Sequence, residues 1–312
     1  MTLFSKKGKL IVAGDSYSDQ YRRENFGFAD VWGNHLAKFL DRDEYFKAEN
    51  IINIANSGAG NYEIFSRTLD EIIFNKNIYL IVIMWSEFQR FDFEIDMSYK
   101  PVSDGTPHRQ KKGSWYSIRG GQTLYQNMHP PRVMMGPWPV LDSIKDRPSL
   151  EPEWKHKLCK VFHERNFDSL PVGVNKFMRF VFTLQEMCEK KNIRLIQCMG
   201  TEPIISDEPN TKSKIVEQTS KLIIDHPYFG HINSKTWIGW PIMRPLGGFS
   251  IDNYLTKLDK KIWGSNEAPV HGSKEFPPHY RMSVKDSHPN GRGHLAMAEL
   301  IYDNYKKIYS KT

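Results

Sequence analysis

Cysteine is scarce in this chain, and long apolar runs are absent. The 312 residues include three cysteines, Cys159, Cys188 and Cys198. Their spacing makes neither a disulfide framework nor a metal motif, and such usage fits a chain made in a reducing compartment. No stretch approaches the roughly 18 consecutive apolar residues of a membrane span. Met1 to Lys7 leads into no long apolar run, which argues against a signal peptide. The expectation is a soluble product, cytoplasmic on synthesis, with no membrane partner. Internal repeats and low-complexity segments are also lacking, which excludes repeat architectures. The formal charge is +7 and the pI about 9.1, yet the lysines are scattered. Arg109-Gln110-Lys111-Lys112 is the one dense basic cluster, and no zinc-finger, helix-turn-helix or RNA-binding signature accompanies it. A solvated surface accounts for the charge, so no specific nucleic-acid partner is expected.

What is present is an alternation of strand and helix patterns. Lys9 to Ala13, Ile51 to Ala55, Ile78 to Trp85 and Ile193 to Met199 read as short buried strands. The third is apolar on both faces, as a parallel sheet covered by helices requires. Phe28 to Leu40, Tyr62 to Phe74, Val174 to Lys191 and Asn290 to Tyr309 read as helices from their apolar spacing. The alternation predicts a layered α/β fold around a parallel sheet. The length suits one enlarged domain, residues 1–312.

Two long tracts interrupt the pattern, at about 97–170 and 225–281. They are rich in Trp, Pro, Gly and His, including Trp115, Trp138, Trp237, Trp240 and Trp263. Loops of this length are unusual unless they are functional or make contacts, and their aromatic content predicts order. They read as insertions that wall a site or meet partner subunits. His226, His231, His271 and His279 in the second tract lack ligand spacing, so no metal is expected.

Three segments carry chemistry. Gly14-Asp15-Ser16 follows the first strand, where a serine hydroxyl meets the amino end of the next helix. Asn56-Ser57-Gly58-Ala59-Gly60-Asn61 ends the second strand. Its glycines allow close backbone approach to a ligand, and Asn61 serves either as a helix cap or as an amide donor. Asp286-Ser287-His288-Pro289 precedes the last helix and puts an acid and an imidazole in one loop. A serine hydroxyl becomes a good nucleophile only when an imidazole takes its proton and a carboxylate fixes the imidazole. Ser16, His288 and Asp286 supply those three groups.

With these segments in place, the chain resembles the SGNH (GDSL-type) hydrolases, serine esterases and deacetylases on a flavodoxin-like three-layer α/β/α fold. Gly14-Asp15-Ser16-Tyr17-Ser18-Asp19 matches the family's first block, Asn53-Ile54-Ala55-Asn56-Ser57-Gly58 its second, and the Asp286–His288 segment its fifth. The resemblance implies Ser16 as nucleophile and the N–H of Gly58, with that of Ser16, as oxyanion donors. The third block departs from the pattern. Met84-Trp85-Ser86-Glu87 stands where Gly-x-Asn-Asp is usual, so Asn61 or Ser86 replaces the family asparagine or the hole has one donor fewer. The fifth block is Asp-x-His in place of Asp-x-x-His. The strand end at 84–90 and the Ser-Gly-Ala-Gly-Asn run also resemble a subset common in tailed-phage and other viral proteins. A Gly-x-Ser-x-Gly elbow of the α/β-hydrolase kind is excluded by Ser18.

The resemblance implies a serine esterase that removes an acyl group, in particular an O-acetyl group from a carbohydrate, with no cofactor. Its partner would be an acylated small molecule or polysaccharide. Two alternatives stay open at this stage. One is a structural or receptor-binding virion component on the same scaffold, contacting other virion subunits or further copies of itself. The other is an O-acyltransferase using the same acyl-enzyme.

Overall fold

Leu10-Ile11-Val12-Ala13 is apolar at every position, so both of its faces need cover. A computed structural model of the chain describes residues 8–20, 30–43, 46–88, 90–95, 114–119, 132–134, 169–204, 209–264, 279–283 and 286–309, with isolated positions between 161 and 167. In chain order the elements are β1 (Lys9–Ala13), α1 (Trp32–Arg42), β2 (Ile51–Asn53), α2 (Asn61–Phe74), β3 (Ile78–Trp85), β4 (Arg90–Ile95), β5 (Ser114–Arg119) and β6 (Arg132–Met134). They continue with α3 (Leu170–Lys190), β7 (Arg194–Met199), α4 (Pro209–Ile224), β8 (Trp237–Ile238), α5 (Ile251–Trp263) and α6 (Gly291–Tyr309).

The main sheet is parallel throughout, in the order β2-β1-β3-β7-β8. Counted along this sheet alone, that is the flavodoxin-like order 2-1-3-4-5. Side chains alternate between the two faces. Ile11, Ala13, Ile81, Ile83, Trp85 and Leu195 pack with α2, α3 and α4 through Ile64, Ile72, Phe177, Val181, Leu184 and Ile215. Leu10, Val12, Leu80, Val82, Met84 and Ile196 pack on the other side with α1, α5 and α6 through Trp32, Leu36, Leu255, Met297 and Ile301. The result is a three-layer α/β/α fold. Among the described residues, no helix is long and apolar enough to cross a membrane.

The strands and helices differ from the sequence expectations in three places. β4, β5 and β6 form a separate antiparallel sheet that no alternation signal announced. Its last two strands lie inside the first tract; most of that tract, Trp138 included, is outside the described residues, as is the basic cluster at 109–112. α4 had no counterpart in the sequence reading. The second tract, over 225–264, contributes the fifth strand of the main sheet and α5, which covers one face of it. It is therefore part of the layered architecture over that range, because Ile238, Ile251 and Leu255 are core residues.

α5 is well delimited. Ser250 caps it with a reciprocal side-chain exchange with Asn253, and Gly264 ends it in the left-handed conformation. Trp240 stacks on Phe229 and lies tilted against Trp237. Parallel order reverses direction between β1 and β3, and the crevice at their carboxyl ends is where open α/β sheets bind ligands. Ser16 follows β1, Gly58 follows β2 and Ser86 follows β3, so all three converge on that crevice.

Candidate active site

The nucleophile turn is pinned by the residue before it. The N–H of Ser18 donates to the carbonyl of Asp15 at 2.9 Å, closing the turn around Ser16. The Asp15 carboxylate is fully buried and accepts from the Tyr17 N–H at 3.0 Å, the Ser86 hydroxyl at 3.0 Å and Arg90 at 3.3 Å. These three donors compensate a carboxylate that burial has taken out of water. Gly14 has no room for a side chain: a Cβ would lie 2.5 Å from the Ser18 Oγ and 3.0 Å from the Met84 carbonyl.

The chain ends meet here. The Ser16 Oγ lies 2.8 Å from His288 Nε2, across 272 residues of sequence. His288 Nδ1 is 2.5 Å from Asp286 Oδ1, which also accepts the His288 backbone N–H at 3.0 Å. The short Asp-x-His spacing thus lets one carboxylate oxygen hold both the ring and the backbone of the same histidine. The Tyr17 ring lies against the imidazole, centroids 5.4 Å apart.

The second segment forms a turn in which the Ala59 N–H donates to the Asn56 carbonyl at 3.0 Å. Gly58 is its third residue, with φ at 87°, a conformation that side chains disfavour. The turn is tied to the nucleophile loop twice. The Asn56 N–H donates to the Gly14 carbonyl at 3.0 Å. Both the N–H and the hydroxyl of Ser57 donate to Asp19 Oδ2, at 2.8 and 2.7 Å. The backbone N–H groups of Ser16 and Gly58 find no acceptor among the described residues. Unpaired N–H groups at a buried serine are unusual in folded proteins and mark an anion-receptive spot.

Of the three expectations for the missing family asparagine (Asn61, Ser86, or a hole with one donor fewer), the bonds that Asn61 and Ser86 make to other protein groups fit the third. The Asn61 amide donates to the carbonyls of Ser86 and Glu87, at 3.0 and 3.3 Å, and accepts the Ser86 N–H at 2.8 Å. Asn61 is also the first helical residue of α2, the cap position being Gly60. The Ser86 hydroxyl donates to Asp15. The physical reason is burial: the Asp15 carboxylate and the carbonyls at the end of β3 would otherwise lack donors.

Arg90 joins the three strand ends. It reaches Asp15, the Ala59 carbonyl at 3.2 Å and Glu87 at 3.1 Å. Burial works against its charge, but Glu87 and Asp15 outweigh it and hold its pKa above the ordinary arginine value. Sequence reasoning included Asp15, Asp19 and Arg90 in its motifs but assigned them no role. The signal available was acidic and basic residues directly beside strand ends, which no periodicity explains.

The base loop has its own support. Asn290 caps α6, its Oδ1 accepting the Gly293 N–H at 3.0 Å. Its amide donates to the carbonyls of His279 and Arg281, both at 2.9 Å. His226, one of the second-tract histidines, bonds Asn175 at 3.1 Å. Among the described residues, no group of three or more His, Cys, Asp or Glu side chains is arranged to hold a metal.

No family model matches this chain, and no curated protein matches it either. Among solved structures it is similar to the crystal structure of an acetyl xylan esterase, at 11% sequence identity and a TM-score of 0.40, over 95% of this chain and 98% of that one. A likeness that distant bears on neither mechanism nor substrate.

Proposed function

We propose that the chain is a serine esterase that hydrolyses small acyl esters, O-acetyl groups on carbohydrate being the substrate class that the SGNH resemblance implies. One observation carries the reading: a buried serine hydroxyl 2.8 Å from an imidazole whose far nitrogen meets a carboxylate, beside two backbone N–H groups without acceptors among the described residues.

In this reading the Ser16 oxygen attacks the ester carbonyl while His288 Nε2 takes its proton. Asp286 holds the ring and stabilises the imidazolium. The carbonyl oxygen becomes an oxyanion and draws on the N–H groups of Ser16 and Gly58. As the tetrahedral intermediate collapses, the C–O bond to the alcohol breaks and His288 returns the proton to it. Water, deprotonated by His288, then attacks the acyl carbonyl; as the second intermediate collapses the bond to Ser16 Oγ breaks, His288 returns the proton to Ser16, and the acid is released. In each step the imidazolium forms together with the oxyanion and is discharged as that oxyanion collapses, so charge balances over triad and substrate together, and this reaction uses no cofactor.

The test uses p-nitrophenyl acetate, an O-acetylated oligosaccharide and an organophosphonate probe. The parent chain should turn over both esters, release free acetate and form an adduct on Ser16. Ser16→Ala should abolish both turnover and adduct, and Asp286→Asn should lower kcat by about 10⁴. A parent protein that neither turns over an ester nor takes the probe overturns the reading.

A further inference from the structure

The Ser16–His288 contact joins loops from opposite ends of the chain, and the bond between them survives only if both loops are held to about 0.5 Å. The peptide between acid and base belongs to Ser287. Its carbonyl receives two donors, the Tyr17 hydroxyl at 3.2 Å and Arg281 at 2.7 Å. The same two groups meet a second time at Asp252 Oδ1, at 2.9 Å from Tyr17 and 2.7 Å from Arg281. Two donors and two acceptors therefore form a closed square, with one corner next to the nucleophile and one inside the base loop.

The donor inventory fits. Tyr17 has one hydroxyl proton shared between two oxygens, and the nearer Arg281 nitrogen has two N–H groups, one for each. The other nitrogen donates to the Asp252 carbonyl at 2.6 Å and to Thr256 at 2.9 Å. Asp252, Thr256 and Asp259 sit four and three residues apart on α5, so they share one face. Asp259 accepts the N–H groups of His279 and Tyr280, at 2.8 and 3.2 Å. That helix face holds the segment leading into the base loop. Arg281 is 2% exposed. Burial opposes its charge, and Asp252 foremost overrides this, keeping it above the ordinary arginine value.

We propose that Arg281, Asp252 and the Tyr17 hydroxyl form a clamp that sets the position of His288 against Ser16. They are positioning residues: none is a member of the triad, Tyr17 and Arg281 act through the Ser287 carbonyl, and Asp252 holds those two donors in place. The proposal deepens the serine-esterase reading and rests on it for its kinetic consequences. It assigns a role to α5, which lies within the second tract.

The experiment compares Tyr17→Phe, Arg281→Lys and the double variant with the parent. Tyr17→Phe keeps the ring over His288 and removes only the hydroxyl. Arg281→Lys keeps the charge and loses the fork. Misplacement of about 1 Å costs about 10² in rate, so Tyr17→Phe should lower kcat about tenfold and Arg281→Lys about a hundredfold. KM should change by no more than about twofold, because only positioning of the reacting groups is lost. Phosphonylation of Ser16 should slow in parallel. The double variant should fall short of the product of the two single effects, since both cut one link. If Arg281→Lys does not fold, Tyr17→Phe and Asp252→Asn carry the comparison.

Variants with lower melting temperatures but parental kcat and labelling rates overturn the clamp. If the parent itself lacks turnover and labelling, the esterase reading fails separately. The clamp is then judged by crystal structures of the parent and Tyr17→Phe. A Ser16–His288 separation that lengthens supports the clamp, and one unchanged to within about 0.5 Å overturns it.

Discussion

Asp92 caps a helix to which it does not belong. Its two carboxylate oxygens accept the N–H groups of Gly60 and Glu63, at 2.8 and 2.9 Å, at the start of α2. Gly60 provides no side-chain cap, so the first strand of the small antiparallel sheet supplies the missing acceptor. The cap sits at the end of the turn that holds Gly58, which couples helix stability to the site. A Cβ at Gly60 would lie 2.6 Å from Asp92 Oδ2, so the contact also depends on the absence of a side chain.

Asp92→Ala should destabilise the fold by about 1–2 kcal/mol, the usual loss when a capping carboxylate goes. Gly60→Ala should cost a similar amount by pushing Asp92 away. Urea denaturation of both variants and of the pair tests this. The double variant should be less destabilised than the sum, because either change alone breaks the same contact.

Glu63 predicts a pH dependence. Burial first, and then the charge of Asp92, raise its pKa from 4.5 to about 7. A carboxyl group with a raised folded value binds a proton more readily folded than unfolded. Between about pH 4.5 and 7 the folded state holds the extra proton, so this group's contribution to stability falls as pH rises through that window. Glu63→Gln removes the dependence while preserving an amide oxygen for Asn56 and Arg67. The stability of Glu63→Gln relative to the parent should therefore be higher at pH 8 than at pH 5. A difference that is flat with pH, measured by urea unfolding, would sink this assignment.

Ser86 and Gly58 should separate stability from catalysis. Ser86→Ala leaves the buried Asp15 carboxylate with one donor fewer and should cost about 1–3 kcal/mol. Its kcat should fall by much less than the 10²–10³ typical of a lost oxyanion donor. Gly58→Ala strains a backbone at φ 87° and displaces the N–H assigned to the oxyanion. Its kcat should drop by about 10² or more. Kinetics of both variants on p-nitrophenyl acetate, beside their unfolding curves, decide the matter.

Cys188 and Cys198 should be inert in the native protein. Burial pushes the Cys188 thiol up to about 12. Burial, with the Asp15 charge adding to it, raises that of Cys198 as well. Thiolate is the reactive form, so neither should be alkylated by iodoacetamide at pH 8 until denaturant is added. Peptide mapping by mass spectrometry reads the sites directly, and rapid native labelling of either would contradict the burial.

Much of the architecture was legible because β1 from Leu10 and β3 throughout are runs of apolar and aromatic residues, and the helices after them keep helical spacing. The same rule could have found α5. Ile251, Leu255, Leu258 and Ile262 repeat at helical intervals between a serine cap and a glycine stop. The neighbouring prolines and tryptophans concealed it. α4 is harder, since among its described residues Ile215 and Ile223 are the fully buried apolar positions in a mostly polar segment. β8 is two residues long, too short for any period to register.

At the site, Ser16, Asp286 and His288 stood out as residue types in ordered segments. What sequence could not give was the destination of each donor. Asn61 and Ser86 have suitable groups, but their acceptors come from Glu87 and Asp15, and the latter lies 71 residues from Ser86. Arg281 reads as an ordinary basic residue until α5 is folded beside it, since its partner Asp252 is 29 positions away. Long-range pairings of this kind leave no local pattern.

The main sheet is bordered by its two shortest strands. β2 spans three residues on one side and β8 two on the other, whereas β3 near the middle spans eight. A border strand offers unpaired backbone groups to any other strand that meets it, and its length sets how firmly that stranger can hold. Two or three residues make a poor template for strand addition. The main sheet therefore keeps its longest pairing in the interior, and its short borders give edge-to-edge self-association little to grip.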